Sequence, residues 1–406
     1  MTKKKRLYIV ISVVLVVAVI SGGFFIYKQS HKQTPQTAAQ TTQSIKTESK
    51  KTEPTTQTIR LIAVGDQLPH DSVNQNAKQA DGTYNYMPFF SEVKPLFDKA
   101  DVHFCNQEVT SAGASFGISG YPVFNAPTQF AKDLSALGCD VINRANNHAF
   151  DKGQAGINAT LDTWDGLQKK AIAGSNRSQA EQDTIRYFTV KGVKFAFLAY
   201  AEYSNIATTN PYAVNIYSAD LATRQLAEAR KNADVVLVSM HWGTEYSPTE
   251  NAMQKNAATL LANNGADIVI GTGPHVLEPV ARLPKPGGGE TLVWYSLGNF
   301  LNTQLDIESL IGGIAVMDFT VPKDGGKPTL DKVGFLPTYM HYEWTPAQKA
   351  AEDLLSRKNL KIYPLDKAAD AMARSQNNTT PEAQQERVKA ILNAHTPVTM
   401  LTSTTY

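Results

Sequence analysis

The chain has 406 residues, 42% of them hydrophobic, and a net charge of +2, which excludes a disordered or collagen-like protein. Its charge is uneven: residues 1–57 hold nine Lys and Arg against two Asp and Glu, and the rest of the chain holds 30 against 35. An acidic main body excludes a broad nucleic-acid surface, which needs clustered Lys and Arg to neutralise phosphates.

Lys3, Lys4, Lys5 and Arg6 precede an uncharged run, LYIVISVVLVVAVISGGFFIY, and about 20 apolar residues suffice to cross a bilayer as a helix. Residues 1–6 are therefore expected as a cytoplasmic basic tail and 7–27 as a single-pass transmembrane anchor at the cell membrane. Basic flanks stay inside, so the C-terminal domain is expected to be extracellular. A cleaved signal peptide is the alternative, but its apolar core is shorter and ends in a small-x-small site that is not obvious before Lys28. Residues 28–57, rich in Gln, Thr, Ser and Lys, read as a disordered linker.

Ordered structure is expected from TIRLIAVGD, a strand ending at Gly65 and Asp66. One unit then recurs, a stretch with helical spacing followed by Asp and a short apolar strand. PFFSEVKPLFDK leads to ADVHFCNQE, PTQFAKDLSALG to CDVINRANNH, LATRQLAEARKN to ADVVLVSMHWGTE, and AMQKNAATLLANNG to ADIVIGTGPH. Such alternation predicts a layered α/β fold with strands buried on both faces. VKFAFLAY, TLVWYSLGNF and GGIAVMDFTV add strands, and the LPKPGGGE loop suits a hairpin, so the sheets are expected to be mixed. Residues 58–343 form the main domain in this reading, and 344–406 a C-terminal appendage of surface helices. Two cysteines exclude a disulfide framework. Cys105 and Cys139, expected at the end of one strand and the start of its neighbour, are read as unbridged core residues.

Polar groups gather just after these strands: Asp66 and His70, Asn106 and Glu108, then Asn146, Asn147, His148 and Asp151 within NRANNHAFDKG, later His241 and Glu245, and finally His275. Singly, each is explained by a turn or a satisfied histidine. Together they predict a site at the carboxyl edge of a sheet, where open α/β sheets bind ligands. Asp66, His70, Asn106, Glu108, Asn147, His241 and His275 form a mixed oxygen and nitrogen set suited to one or two divalent ions, Mn, Fe or Zn. Glu245 reads as a base or as a group that orients one, and as readily as a loop carboxylate. Arg144, Tyr295 and Asn299 are candidate substrate contacts, Tyr295 being equally readable as a core aromatic, while Tyr121 and Phe124 are candidate cleft walls. A Gly-Lys-Ser/Thr phosphate loop and a serine nucleophile elbow are both lacking, so ATP-driven ligation and serine hydrolysis are unsupported.

AVGD, NQE, RANNHAFD, SMHWGTEY, GTGPHV and WYSLGNF, in that order over roughly residues 60 to 305, resemble the bacterial capsule-synthesis CapA family associated with poly-γ-glutamate production. That family looks like a branch of the calcineurin-like metallophosphoesterases. The resemblance implies a β-sandwich of two packed sheets flanked by helices around a two-metal centre. It implies Asp66 as the leading ligand, Glu108 as the bridging carboxylate, Asn147 and His148 as the metal-binding and catalytic members of an Asn-His pair, and His241 and His275 as later ligands. Two positions depart from the pattern: Leu68 stands where a His follows the first Asp, and Gly273 where the first of two paired His is found. The implied role is in an anionic surface polymer or its precursor, as an enzyme at a phosphoester or as a non-catalytic polymer-binding or scaffold subunit of a membrane synthase complex.

Overall fold

Short Val- and Ile-rich runs punctuated by Gly and Asp fold into strands, as β-branched residues favour a pleated, buried surface. The computed structural model describes residues 55–406; the expected basic tail, the anchor and nearly all of the linker lie outside the described residues. Among the described residues no helix is long and apolar enough to cross a membrane.

The chain first lays down β1 (Thr56–Gln67), β2 (Val102–Gln107), β3 (Val141–Asn143) and β4 (Ala171–Ala173), mutually parallel neighbours in one sheet. It then builds a second sheet from β5 (Arg186–Val190), β6 (Val193–Ala201), β7 (Val235–His241), β8 (Ile268–Thr272), β9 (Val280–Pro284) and β10 (Glu290–Trp294). In that sheet β6, β7, β8 and β10 run parallel, while β5 and β9 are antiparallel edges. The remaining strands return to the first sheet: β11 (Asn299–Leu301), β12 (Ile311–Pro322), β13 (Thr329–Glu343), β14 (Lys358–Pro364) and β15 (Thr399–Met400). Both sheets are mixed, as expected, and the β9–β10 connection through residues 285–289 is the anticipated hairpin.

The inner faces of the two sheets share one core. Phe104 meets Phe197 at 6.0 Å, Phe195 meets Phe319 at 5.9 Å and Trp294 meets Phe335 at 5.8 Å between ring centres. Period-two alternation decides which side each residue faces. Val235 and Leu237 of β7 join the inner core, whereas Val236, Val238 and Met240 pack outward. They pack against α1 (Ala219–Asn232) and α2 (Ala252–Asn263), through Ala222, Leu226, Ala257 and Leu261. His241, on the inward parity, therefore points at the first sheet. Tyr295 follows Val293 onto the outward parity and stacks on Trp242, ring centres 6.0 Å apart. The structure thus places Tyr295 in the outer core, as the aromatic reading had it, and not as a substrate contact.

Two expectations are corrected. Residues 344–406 are not an appendage of surface helices: β14 pairs antiparallel with β13, β15 pairs parallel with it, and Pro54–Tyr406 clusters as one unit. Leu360 and Ile362 alternate inward along β14, a two-residue period hidden by the charged, helix-favouring sequence before it. Cys105 and Cys139 form a disulfide, with Cα atoms 5.7 Å apart. β3 has only three residues and starts opposite Phe104, so its beginning lies close beside the end of β2 and not a strand length away.

Behind the second sheet, Glu278 is fully buried, accepting a 2.6 Å bond from Gln254 Nε2 on one oxygen while the other has no partner. Burial pushes its pKa up to about 8. The unfolded chain therefore loses this proton first as pH rises, and stability falls from about pH 4.5 to about 8. Glu278→Gln is expected to remove that slope, gaining on the order of 1–3 kcal/mol over the parent between pH 5 and 8 in denaturant unfolding. Parallel pH profiles for the two proteins would refute the assignment.

Candidate metal centre

Register aligns the donors. Across the first sheet Asp66 stands beside Asn106, and Asn106 beside Asn143; across the second, His241 stands beside Thr272. These carboxyl ends face one another at one edge of the sandwich. Gly65 permits the approach, because a Cβ there would lie 1.8 Å from Gly298 O, to which Asp66 N–H donates at 2.9 Å.

At the centre lies Glu108, with no exposed surface and no hydrogen-bond partner on either carboxylate oxygen. Around it are His275 Nε2 at 3.7 Å and His241 Nε2 at 3.8 Å. Asp66, Glu108 and His275 offer ligand atoms within 4.8 Å of one another. His275 Nδ1 bonds Asp66 Oδ2 at 3.1 Å and Asn299 Oδ1 at 3.0 Å; His241 Nδ1 bonds Thr272 Oγ1 at 3.0 Å. Partners on Nδ1 leave both Nε2 atoms turned towards Glu108, the orientation a metal-ligating imidazole needs. Asn147 Oδ1 completes the ring, 3.0 Å from His241 Nε2.

The buried carboxylates and imidazoles set one another's charge. Burial, then the neighbouring Asp66, holds Glu108 well above the usual carboxylate range. Burial would also raise Asp66, but the His275 hydrogen bond and the charges of His275 and His241 outweigh it and lower that pKa. Burial alone would lower His275, yet Glu108 and Asp66 hold it up at about 10, while burial takes His241 down to about 4. A buried carboxylate without a donor is costly, and oxygen and imidazole donors around it fit a divalent cation.

Other expected site residues have different places. Asn106 is fully engaged, donating to Asp66 Oδ1 at 2.7 Å and accepting from Asn143 Nδ2 at 2.8 Å, so it steadies Asp66 and does not ligate. His70 lies aside: its Nδ1 faces Thr303 N–H at 3.4 Å and its ring packs on Phe124. Arg144 is buried completely and turned inward, Nη1 donating to the carbonyls of Gln107 and Val109, so it ties strand ends together and does not reach the mouth. Asn299 holds His275 in place. Glu245 is exposed at the rim, accepting from Tyr203 OH at 3.5 Å. His148 sits beside the ligand ring, Nδ1 donating to Asp151 Oδ2 at 2.7 Å, against the Phe124 ring at 4.7 Å.

Leu68 and Gly273 also find physical accounts. Leu68 is core, 2% exposed. Gly273 has φ +109°, and a Cβ there would lie 2.8 Å from Trp242 O and 3.2 Å from His241 Nε2; its N–H donates to Asp66 Oδ2 at 3.2 Å instead. Asn205 was not foreseen. Its Nδ2 donates to His148 Nε2 at 3.3 Å, and its N–H to Asn147 O at 2.9 Å. It lies in a loop without apolar periodicity, and only its spatial neighbours reveal it.

Two mixed sheets presenting carboxylates, amides and imidazoles from facing strand ends define an α/β protein with a donor set for a divalent cation. Residues 60–304 match the family described as bacterial capsule synthesis protein PGA_cap, and the chain belongs to that family. Among curated relatives it is 36% identical over 177 residues to the PGA biosynthesis protein CapA of Bacillus subtilis strain 168, covering 43% of this chain and 45% of that protein. It is 30% identical over 187 residues to the capsule biosynthesis protein CapA of Bacillus anthracis, covering 44% of each. The chain thus spans less than half the length of these relatives. Similar solved structures include a hypothetical protein of Thermus thermophilus, with TM-score 0.42 and 16% identity, covering 69% of this chain and 98% of that one. A phosphatase of Mycoplasma pneumoniae has TM-score 0.42 and 12% identity, covering 70% and 94%.

Proposed function

We propose that this protein is a membrane-anchored, extracellular component of capsule or poly-γ-glutamate-type polymer biosynthesis, with a metallophosphoesterase-like centre that hydrolyses or transfers a phosphoester or related linkage. The observation carrying the reading is Glu108, a fully buried carboxylate lacking any donor amid Asp66, Asn147, His241 and His275. These five would hold one or two divalent ions, Mn, Fe or Zn. A bound ion supplies Lewis acidity toward a phosphoryl oxygen. His148, held by Asp151 at Nδ1 and approached by Asn205, lies beside the ligand ring, where an imidazole carrying protons on both nitrogens would give one from Nε2 to a leaving group or steady developing charge. The Cys105–Cys139 disulfide supports an oxidising compartment outside the cytosol. Implied partners are the bilayer, an anionic surface polymer or its precursor, and membrane synthase subunits.

Leu68 and Gly273 favour a second reading, a polymer-binding or scaffold subunit using the cleft without turnover. The two separate in one assay of the purified full-length chain supplied with Mn²⁺. Hydrolysis of a small phosphodiester that falls at least about 100-fold in Asp66→Ala and in His148→Ala supports catalysis. Metal binding without turnover supports the second reading. A reporter fused after Tyr406 that proves cytoplasmic would overturn the topology.

A further inference from the structure

The mouth of the centre is rimmed by tyrosines that the proposed chemistry does not use. Tyr121 is 78% exposed, Tyr246 54% and Tyr203 41%. They are three of the eight large apolar side chains exposed among the described residues. Three exposed aromatic rings at one opening make a patch, and such patches mark binding surfaces.

The rim is built rigidly. Tyr121 packs edge-on against Phe124, whose ring abuts His148. Tyr203 donates to Glu245. Tyr246 leans over His275, ring centres 5.9 Å apart, and accepts from Gln304 Nε2 at 3.1 Å; Gln304 Oε1 accepts in turn from Asn299, which bonds His275. The Tyr246 backbone is left-handed, φ +64°, pinned by its N–H to Pro274 O at 2.8 Å. A bulky residue held in that region is strained, and such strain gathers at ligand clamps.

Charge narrows the ligand. Two carboxylates lie along this rim: Glu245 accepts from Tyr203 OH, and Glu202 Oε2 accepts from Gly243 N–H at 2.9 Å, three residues before Tyr246. Rings with an apolar face and hydroxyl edges meet stacking surfaces and carboxylate acceptors.

We propose that Tyr121, Tyr203 and Tyr246 hold neutral sugar rings flanking the phosphoester, so that the substrate is a sugar phosphate or a glycan joined through phosphate. The assignment rests on the phosphoester reading of the centre. It is tested by equilibrium binding to the Mn²⁺-supplied full-length chain of glucose 1-phosphate, ethyl phosphate, AMP and a hexamer of γ-glutamate, with a neutral trisaccharide followed separately by NMR. Glucose 1-phosphate is expected to bind at least about tenfold tighter than ethyl phosphate, from the stacking of one ring. That advantage should vanish in Tyr203→Ala and Tyr246→Ala and persist in Tyr203→Phe and Tyr246→Phe. Equal affinity for the glucose and ethyl esters, tighter binding of AMP or of the γ-glutamate hexamer, or tyrosine variants without effect would each overturn it. If no phosphate binds, the phosphoester reading falls alone; trisaccharide binding lost in both alanine variants then upholds the rim, and its absence sinks it.

Discussion

Replacing Glu108 with Gln is expected to abolish the stabilisation that Mn²⁺ gives the chain while making the metal-free protein more stable. A ligand present at 100 times its dissociation constant stabilises by about 2.7 kcal/mol, so the parent should unfold at a clearly higher temperature with Mn²⁺ than with chelator. In the variant the two transitions should coincide. The gain without metal follows because Glu108 buries a carboxyl with neither oxygen partnered, and an amide removes the electrostatic conflict with Asp66 while keeping the shape. Calorimetry of both proteins, with Mn²⁺ and with chelator, reads both effects. An unchanged Mn²⁺ shift in Glu108→Gln would mean that the ion, if any, binds elsewhere.

The second large effect concerns Cys105 and Cys139. Their bridge closes a loop with a sequence separation of 34, for which chain entropy gives about 3–4 kcal/mol. The double replacement Cys105→Ala, Cys139→Ala should lower the unfolding free energy read by denaturant titration by that much, and reductant should lower the parent to a similar level. The bridge ties β2, one residue before Asn106, to the entry of β3, whose continuation carries Asn147 and His148. Loss of the bridge is therefore expected to weaken metal affinity as well. Equal stability of parent and double variant under oxidising conditions would show that the bridge does not form.

Much of the site was legible because of how strands end. Asp66, Glu108, Asn147, His241 and His275 each follow a short apolar run, and runs of that kind can only be buried strands sharing an edge. What a lone strand conceals is its parity against a partner sheet. Tyr295 follows β10 as Asp66 follows the apolar run of β1, but one residue of register turns it outward onto Trp242. Asn106 carries a suitable group in a suitable place, yet Asp66 and Asn143 engage it, and Arg144 is drawn wholly inside, its Nη1 on the carbonyls of Gln107 and Val109. Such competition between neighbours depends on coordinates. Asn205 and the disulfide were hidden for a related reason: a loop reaching His148 and a three-residue strand beginning beside Cys105 are both set by tertiary packing. The C-terminal strands escaped because β14 is short and flanked by Lys, Glu and Ala, which favour helix in isolation.

The long first strand also gives the domain a polarity. From Thr56 to Asp66, β1 advances about 33 Å at the usual rise per residue, and the Tyr406 ring lies under Arg60 near the start of that strand, 5.4 Å from its guanidinium carbon. Both termini of the described chain are therefore gathered at the pole remote from the ion donors. On the proposed reading, a polymer reaching the donors would meet them at the end of the sandwich away from Thr56 and Tyr406.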